Sequence, residues 1–196
     1  MIRRFLIYNR DRFNYLIKFP RSSRINPIAK RMLILKLARE KNIKTLVETG
    51  TYLGLSTKFF AKHFMKVISV ELNPDLYDFN VKYLKSFDNL NLFLGDSSNI
   101  LEDIINSDIS ESTFYLDAHA SGGITSMGEN PSPIKRELEI LSNFSNLEKS
   151  IVIIDDARGF DGTNSYPHLN YLTEWAEVNK LSKPYIALDM FVILPK

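Results

Sequence analysis

The stretch that decides the fold is Lys44–Thr57, which reads KTLVETGTYLGLST. Its first part, Lys44–Thr49, has the apolar and β-branched residues that are typical of a strand. A helix is predicted over Leu55–Phe64. Gly50 and Gly54 lie in the connection, and they permit a tight turn in which a ligand can approach the backbone closely. The stretch therefore predicts a strand, a glycine-containing turn and a helix.

The same alternation of strands and helices continues to the C-terminus. Strands separated by helices imply right-handed crossovers and a parallel sheet. The last two strands have almost no loop between them, which predicts an antiparallel hairpin. We expect an α/β fold, a Rossmann-like doubly wound sheet of seven strands, mostly parallel with an antiparallel C-terminal hairpin. The further strands are predicted at Val67–Leu72, Leu90–Leu94, Thr113–Leu116, Ser150–Ile154, Tyr185–Leu188 and Phe191–Leu194.

The composition excludes several classes of protein. The chain has 196 residues, of which 44% are hydrophobic and 24% charged, so a disordered tail or a fibre is excluded. It contains no cysteine, which excludes disulfides and zinc–thiolate sites. No apolar run reaches the ~18 residues of a membrane span, and the N-terminus lacks a secretory h-region. We therefore expect a cytoplasmic protein without a transmembrane segment.

The net charge of +2 conceals two oppositely charged parts. Residues 1–44 contain 13 Lys and Arg against 2 acidic residues, whereas residues 45–196 contain 12 against 21. The first part is predicted to be a basic helical arm or lid, with a helix over Pro27–Lys41, and the second to be the ligand-binding domain. Such an arm can contact nucleic acid or a membrane, cover an acidic pocket, join two copies in a homodimer, or be a solvated helix.

Each of the five predicted parallel strands ends in a carboxylate. In a doubly wound sheet, ligands bind at the carboxyl ends of the strands, near the point where the strand order reverses. Asp and Ser also cap helices and begin turns, so one such residue alone has an ordinary structural explanation. Five strand ends together predict a ligand site. The residues are Glu48, Glu71, Asp96 with Ser97, Asp117, and Asp155 with Asp156.

The turn after the first strand indicates which ligand. Tyr52 stands where dinucleotide sites have their middle glycine, so a pyrophosphate, and with it a nicotinamide oxidoreductase, is disfavoured. A helix N-terminus favours a carboxylate, and Glu48 or Asp117 can hold an ammonium group. Glu71, about 20 residues past the turn, is placed to bind ribose hydroxyls, and Asp96 can accept from the amine of adenine. An amino acid, a ribose and an adenine together make S-adenosylmethionine.

The sequence also resembles a family. VETGTYLGLST, ISVEL, LGDS and FYLDAH are similar to motifs I to IV of the class I S-adenosylmethionine-dependent methyltransferases, over about Thr45 to Ala157. The resemblance implies a seven-stranded sheet with the last strand inserted antiparallel, and a set of cofactor contacts. These are Glu48, Gly50, Thr51, Tyr52 and Gly54 around the methionine part, Ser56 and Thr57 near its carboxylate, Glu71 at the ribose, and Asp96 with Ser97 at the adenine.

The carboxylates after strands four and five predict a cation site. Asp117, Asp155 and Asp156 offer hard oxygen ligands that suit Mg²⁺ or Mn²⁺, and a bound cation lowers the pKa of an acceptor hydroxyl. Carboxylates that bind only cofactor and water are the alternative. The layout resembles the metal-dependent O-methyltransferases of the catechol and macrocin types, with Asp156 nearer the macrocin pattern. Ala120 replaces the Lys of the catechol type, so His119 is the candidate base, with Asp117 as a second catalytic residue.

Two loops beside the site carry the candidate acceptor-binding residues. Residues 118–133 form a long, glycine-rich loop that is predicted to be a lid. Arg158 is predicted to meet an anionic acceptor or, alternatively, to form a structural ion pair with the carboxylates that precede it. His119, Tyr166 and His168 complete the candidate acceptor site.

The sequence therefore predicts an O-methyltransferase that uses S-adenosylmethionine on a small hydroxylated acceptor, with assistance from Mg²⁺. A sugar, a surface-polysaccharide precursor or a secondary-metabolite precursor is the expected acceptor. Three alternatives stay open: a metal-independent enzyme of the same fold with His119 as the base, a nucleic-acid methyltransferase or binding module that uses the basic arm, and a non-catalytic homologue. The absence of an N-P-P-Y-type or D-P-P-Y-type tetrapeptide disfavours nucleic acid.

Overall fold

The computed structural model describes residues 26–117, 133–160 and 167–196. The strands in these ranges are β1 (Thr45–Thr49), β2 (Lys66–Glu71), β3 (Leu90–Leu94), β4 (Ser112–Leu116), β5 (Ile151–Ile154), β6 (Tyr185–Ala187) and β7 (Met190–Ile193). They form one sheet in the order β3-β2-β1-β4-β5-β7-β6. Neighbouring strands from β1 to β5 are parallel, and β7 is antiparallel to β5 and β6. The predicted seven-stranded, doubly wound sheet with its antiparallel hairpin is confirmed.

The helices of the described residues are α1 (Pro27–Glu40), α2 (Leu55–Ala61), α3 (Pro74–Tyr83), α4 (Ser97–Asn106), α5 (Ile134–Leu141) and α6 (Leu169–Val178). Asn73 caps α3, since its side chain accepts hydrogen bonds from the backbone N–H groups of Asp75 and Leu76. The helix predicted over Leu55–Phe64 ends earlier, at Ala61. Phe64 lies in the turn after the helix and is buried, so its apolar side chain extended the predicted pattern beyond the helix. None of the helices in the described ranges combines the length and the apolarity that a membrane span requires.

The sheet separates two apolar cores, as the alternating side chains of β1 show. Val47 lies in the core that contains Leu101 of α4, Leu138 of α5 and Trp175 of α6. Leu46 points to the opposite face, where α1 and α2 pack. Because both faces are covered, the ends of the strands are where polar ligands can reach the sheet.

Helix α1 belongs to the core of the sheet. Its buried side chains Ile34, Leu35, Leu37 and Ala38 share one cluster with residues of β1, β4 and β7. The predicted boundary between residues 44 and 45 therefore runs through a packed unit. Residues 1–25 lie outside the described residues, so the basic arm or lid stays a prediction there.

The turn between β1 and α2 depends on a close approach that favours glycine. Gly54 has a φ of +68°, and a Cβ atom at this position would overlap Oδ1 of Asn80 in α3. Asn80 is fully buried, and its Nδ2 donates a hydrogen bond to the carbonyl of Tyr52 at 2.6 Å. Tyr52 itself has a φ of +48°, which is uncommon for a residue other than glycine. The Asn80 side chain thus stabilises the conformation of this turn.

We expect Gly54→Ala to lower the free energy of unfolding by ~1–3 kcal/mol, the usual cost of left-handed backbone strain, with displacement of Asn80 adding to it. Urea denaturation measures the change. Gly159→Ala is the matched control, because Gly159 does not have a positive φ, and we expect a change within about 0.5 kcal/mol. Equal effects of the two substitutions would contradict the role given to Gly54.

Candidate functional site

A cleft opens at the carboxyl ends of β1 and β4, between which the strand order reverses. Gly50 follows β1 with a φ of +89°, so the chain turns sharply there, and this residue lines the cleft. Asp117 follows β4 and lines the same cleft. The topology therefore brings predicted cofactor residues from two strand ends together. The lining residues are Gly50, Thr51, Tyr52, Leu53, Leu55, Ser56 and Asp117.

Glu48 and Thr57 lie beneath this cleft in a buried network of hydroxyl groups. Glu48 is 1% exposed, and its Oε2 accepts hydrogen bonds from Thr57 Oγ1 at 2.5 Å and from Ser69 Oγ at 2.8 Å. The Ser69 hydroxyl lies 2.7 Å from Thr51 Oγ1, which extends the network to the cleft. Burial raises the pKa of the Glu48 carboxyl to about 8, although both hydrogen bonds oppose the shift. Direct contact of Glu48 or Thr57 with the cofactor stays a prediction.

Glu71 ties the first turn to the end of β2. Its Oε2 accepts from the backbone N–H of Tyr52 at 2.7 Å, and its Oε1 accepts from the backbone N–H of Asn73 at 2.9 Å. Burial raises the pKa of the carboxyl, and these backbone hydrogen bonds oppose the shift. The carboxylate thereby fixes the turn beside the cleft, while its predicted contact with the ribose stays a prediction.

Asp96 acts as the N-cap of α4. Its Oδ1 accepts from the backbone N–H of Ser98 at 2.9 Å and from the Ser98 hydroxyl at 2.6 Å. Ser97 is the first residue of the helix and is buried. The ordinary structural explanation of Asp96 is therefore correct, and the binding of adenine by Asp96 and Ser97 stays a prediction.

The residues after β4 and β5 are linked through a buried tyrosine. The Tyr115 hydroxyl donates to Asp155 Oδ2 at 2.6 Å and lies 3.4 Å from Asp117 Oδ2. The other oxygen of Asp155 accepts from the Lys30 ammonium of α1. Burial raises the pKa of Tyr115 well above its ordinary value, and the negative charges of Asp117 and Asp155 raise it further. The tyrosine is therefore a neutral hydrogen-bond donor at neutral pH.

Asp156, which directly follows Asp155, forms an ion pair with Arg158. Arg158 contacts Asp156 Oδ1 at 2.8 Å and Asp189 Oδ2, in the turn before β7, at 3.0 Å. The structural ion pair that the sequence offered as the alternative for Arg158 is thus present. The side chain of Arg158 is also 60% exposed, and contact with an anionic acceptor stays a prediction.

The predicted metal ligands do not fit a metal site. Across residues 26–117, 133–160 and 167–196, no group of three or more His, Asp or Glu side chains is arranged to hold a metal ion. Both oxygens of Asp155 are engaged, one by Lys30 and the other by Tyr115. Asp156 is engaged by Arg158. Cations of the protein itself therefore contact Asp155 and Asp156, two of the three residues that the sequence predicts as ligands of Mg²⁺ or Mn²⁺.

Sequence reasoning missed Glu137, a fully buried residue of α5. Neither carboxylate oxygen has a hydrogen-bond partner among the described residues. Burial raises the pKa of Glu137 to about 7, nearby Ser97 and Thr49 lower it, and Asp96 adds to the rise. An acidic residue on the same helix face as the buried Ile134 and Leu138 was the available signal.

The remaining candidate residues lie elsewhere. His119 and Tyr166 lie outside the described residues, so their roles as base and acceptor ligand stay predictions. His168 is exposed and precedes α6, and its predicted contact with an acceptor also stays a prediction.

Comparison with solved structures finds the same architecture. The O-methyltransferase from Bacillus cereus, in complex with S-adenosylhomocysteine (SAH), is 17% identical with a TM-score of 0.57, over 93% of this chain and 86% of that one. The O-methyltransferase TomG from Streptomyces achromogenes, involved in tomaymycin synthesis and in complex with S-adenosylmethionine, is 13% identical with a TM-score of 0.57, over 92% and 84%. The 23S rRNA methyltransferase ErmE is 12% identical with a TM-score of 0.52, over 89% and 70%.

No protein-family model matches the chain, and no curated protein matches it in sequence. The likeness to solved structures therefore carries the comparison. The chain shares the fold of these solved methyltransferases, which agrees with the fold that the sequence predicts.

The buried Glu48 makes stability depend on pH. Its folded pKa of about 8 lies above the ordinary value of 4.5, so the folded protein holds a proton that the unfolded chain releases between these values. Stability is therefore lost as the pH rises through this window, by at most ~1.4 kcal/mol per pH unit from this group. We expect Glu48→Gln to be more stable than the wild type at pH 8.5, with a smaller difference at pH 5.5.

Urea denaturation at both pH values measures the effect. Glu102→Gln, on the exposed side of α4, is the matched control and should show no such trend. If the difference between Glu48→Gln and the wild type is independent of pH, the buried carboxyl does not hold a proton in the folded protein.

Proposed function

We propose that the chain is an S-adenosylmethionine-dependent O-methyltransferase that acts on a small hydroxylated acceptor. The observation that carries the proposal is the cleft between Tyr52 and Asp117, at the carboxyl ends of β1 and β4. It lies where the strand order reverses, which is the ligand position of doubly wound sheets. The likeness in fold to two O-methyltransferases, with SAH and S-adenosylmethionine bound, supports the same conclusion.

The donor set of the cleft fits this cofactor. The ligand carries an ammonium and a sulfonium, and the cleft offers the carboxylate of Asp117. Gly50, Thr51 and Tyr52 line the cleft, and a ligand can approach the turn closely because its first residue is glycine. When bound, the cofactor supplies a methyl group on a positively charged sulfur.

Transfer of this methyl group to an acceptor oxygen would require the acceptor to lose its hydroxyl proton. His119 is the residue proposed to take that proton, since an imidazole with a pKa near ~6.5 is largely unprotonated at neutral pH. Asp117, which lines the cleft, would hold the ammonium group of the cofactor. We keep a sugar or another polyhydroxylated precursor as the proposed class of acceptor.

Methylation of RNA is the second candidate. Two observations favour it: the excess of Lys and Arg in residues 1–44 and the likeness in fold to the 23S rRNA methyltransferase ErmE. The described part of that segment, however, is the helix α1, whose apolar side chains are buried in the sheet. Salt-dependent RNA binding that is lost on removal of residues 1–24 would favour this candidate.

Calorimetry with S-adenosylmethionine tests the proposal. We expect saturable binding with a Kd in the range ~1 μM to 1 mM that is typical of enzyme substrates. Asp117→Asn keeps the shape of the side chain but removes its charge, so we expect the Kd to rise by about tenfold or more, or ~1.4 kcal/mol.

Asp103→Asn, on the exposed side of α4, is the matched control and should bind like the wild type. Absence of binding by a folded wild-type protein at millimolar ligand would contradict the proposed function. An unchanged Kd in Asp117→Asn would place the cofactor elsewhere.

A further inference from the structure

Lys30 extends from α1 to the carboxyl end of β5. Its ammonium group contacts Asp155 Oδ1, and the two side chains are 12% and 9% exposed. Ionised groups with so little exposure are rare unless they are paired, because removal from water is costly for each of them. The ion pair is therefore a built feature of the site.

The pair belongs to a longer chain of contacts. Asp155 Oδ1 also accepts from the backbone N–H of Asp156 at 2.8 Å, and Asp155 Oδ2 accepts from Tyr115 at 2.6 Å. The Tyr115 hydroxyl lies 3.4 Å from Asp117, which lines the cleft. Lys30, Asp155, Tyr115 and Asp117 thus form a continuous series of side-chain contacts. It runs from α1, across the ends of β5 and β4, to the cofactor cleft.

The core of the protein determines where Lys30 stands. Ile34 and Leu37, on the same helix, are buried against the sheet, so α1 cannot turn about its axis without exposing them. The neighbouring Arg31 donates hydrogen bonds of 3.0 Å to the carbonyl of Leu55 at the start of α2, and to the carbonyl of Pro27. The packing of α1 therefore fixes the position of Lys30 beside Asp155.

We propose that Lys30 supplies, from within the chain, the positive charge that the sequence led us to expect from a divalent cation, and that Asp155 is thereby closed to Mg²⁺ and Mn²⁺. A divalent ion on Asp155 Oδ1 would stand beside the Lys30 ammonium, and the two positive charges repel each other. It would also have to replace hydrogen bonds that already satisfy both oxygens of Asp155.

Lys30 is in this account a positioning residue. It neutralises Asp155, which holds the Tyr115 hydroxyl in place next to Asp117. Its meaning for catalysis rests on the proposed methyltransferase function, but the exclusion of cations can be measured without turnover.

Binding of Mn²⁺, followed by the loss of the electron paramagnetic resonance signal of the free ion, tests the proposal. We expect no saturable binding by the wild type up to about 1 mM, the weak end of protein sites for such ions. Lys30→Met removes the charge and keeps most of the apolar stem, and we expect it to bind one Mn²⁺ per chain. The double variant Lys30→Met with Asp155→Asn should lose that ion again.

Two further variants separate charge from structure. Lys36→Met is the matched control on the same helix, since Lys36 is 70% exposed, and it should behave like the wild type. Lys30→Arg keeps the positive charge and should not bind Mn²⁺. If circular dichroism shows that Lys30→Met does not fold, Lys30→Gln, which keeps a polar side chain without the charge, takes its place.

Saturable Mn²⁺ binding by the wild type that Asp155→Asn abolishes would overturn the proposal. Failure of both folded, uncharged variants to bind Mn²⁺ would overturn it equally, because Lys30 would then not be what closes the site. Calorimetry with S-adenosylmethionine on the same samples keeps the two questions apart. Lack of cofactor binding by the wild type contradicts the proposed function, whereas the Mn²⁺ results concern Lys30 alone.

Discussion

A parallel sheet brings the ends of its strands to one edge, and in this chain every one of those ends carries a carboxylate. The buried carboxyl groups at these strand ends have partners, because a polar group that is removed from water without a hydrogen bond is costly. Glu48 takes hydroxyl groups, Glu71 takes backbone N–H groups, and Asp155 takes an ammonium group and a phenol. The local structure around the cleft follows from these pairings.

The effect of each carboxylate on the cleft depends on the groups that it contacts. Glu71 and the backbone N–H of Tyr52 fix the first turn, and Asn80 supports the same turn from α3. Asp155 is neutralised from α1, while Asp117 lines the cleft itself. An acidic cleft of this kind suits a ligand that carries positive charge, and S-adenosylmethionine carries two such groups. The basic charge of α1 is used in part at the site, through Lys30.

The sequence was sufficient to predict the architecture of the sheet, because alternating strands and helices with β-branched runs are compatible with few arrangements of a parallel sheet. It also identified the edge at which ligands bind, since that edge follows from the topology. It did not predict the contact of Lys30 with Asp155, which are 125 residues apart. The periodicity of α1 shows which side of the helix is apolar but not which strand end its lysine reaches. The metal site was predicted from the carboxylates alone, without the basic side chains of Lys30 and Arg158 that pair with them.

A crystal structure of the chain with SAH tests the central claim most directly. The account predicts SAH in the cleft, in contact with Tyr52 and Asp117, with Lys30 still paired to Asp155 when the crystals are grown with Mg²⁺. SAH bound away from the carboxyl ends of β1 and β4, or a Mg²⁺ ion on Asp155 with Lys30 displaced, would contradict it.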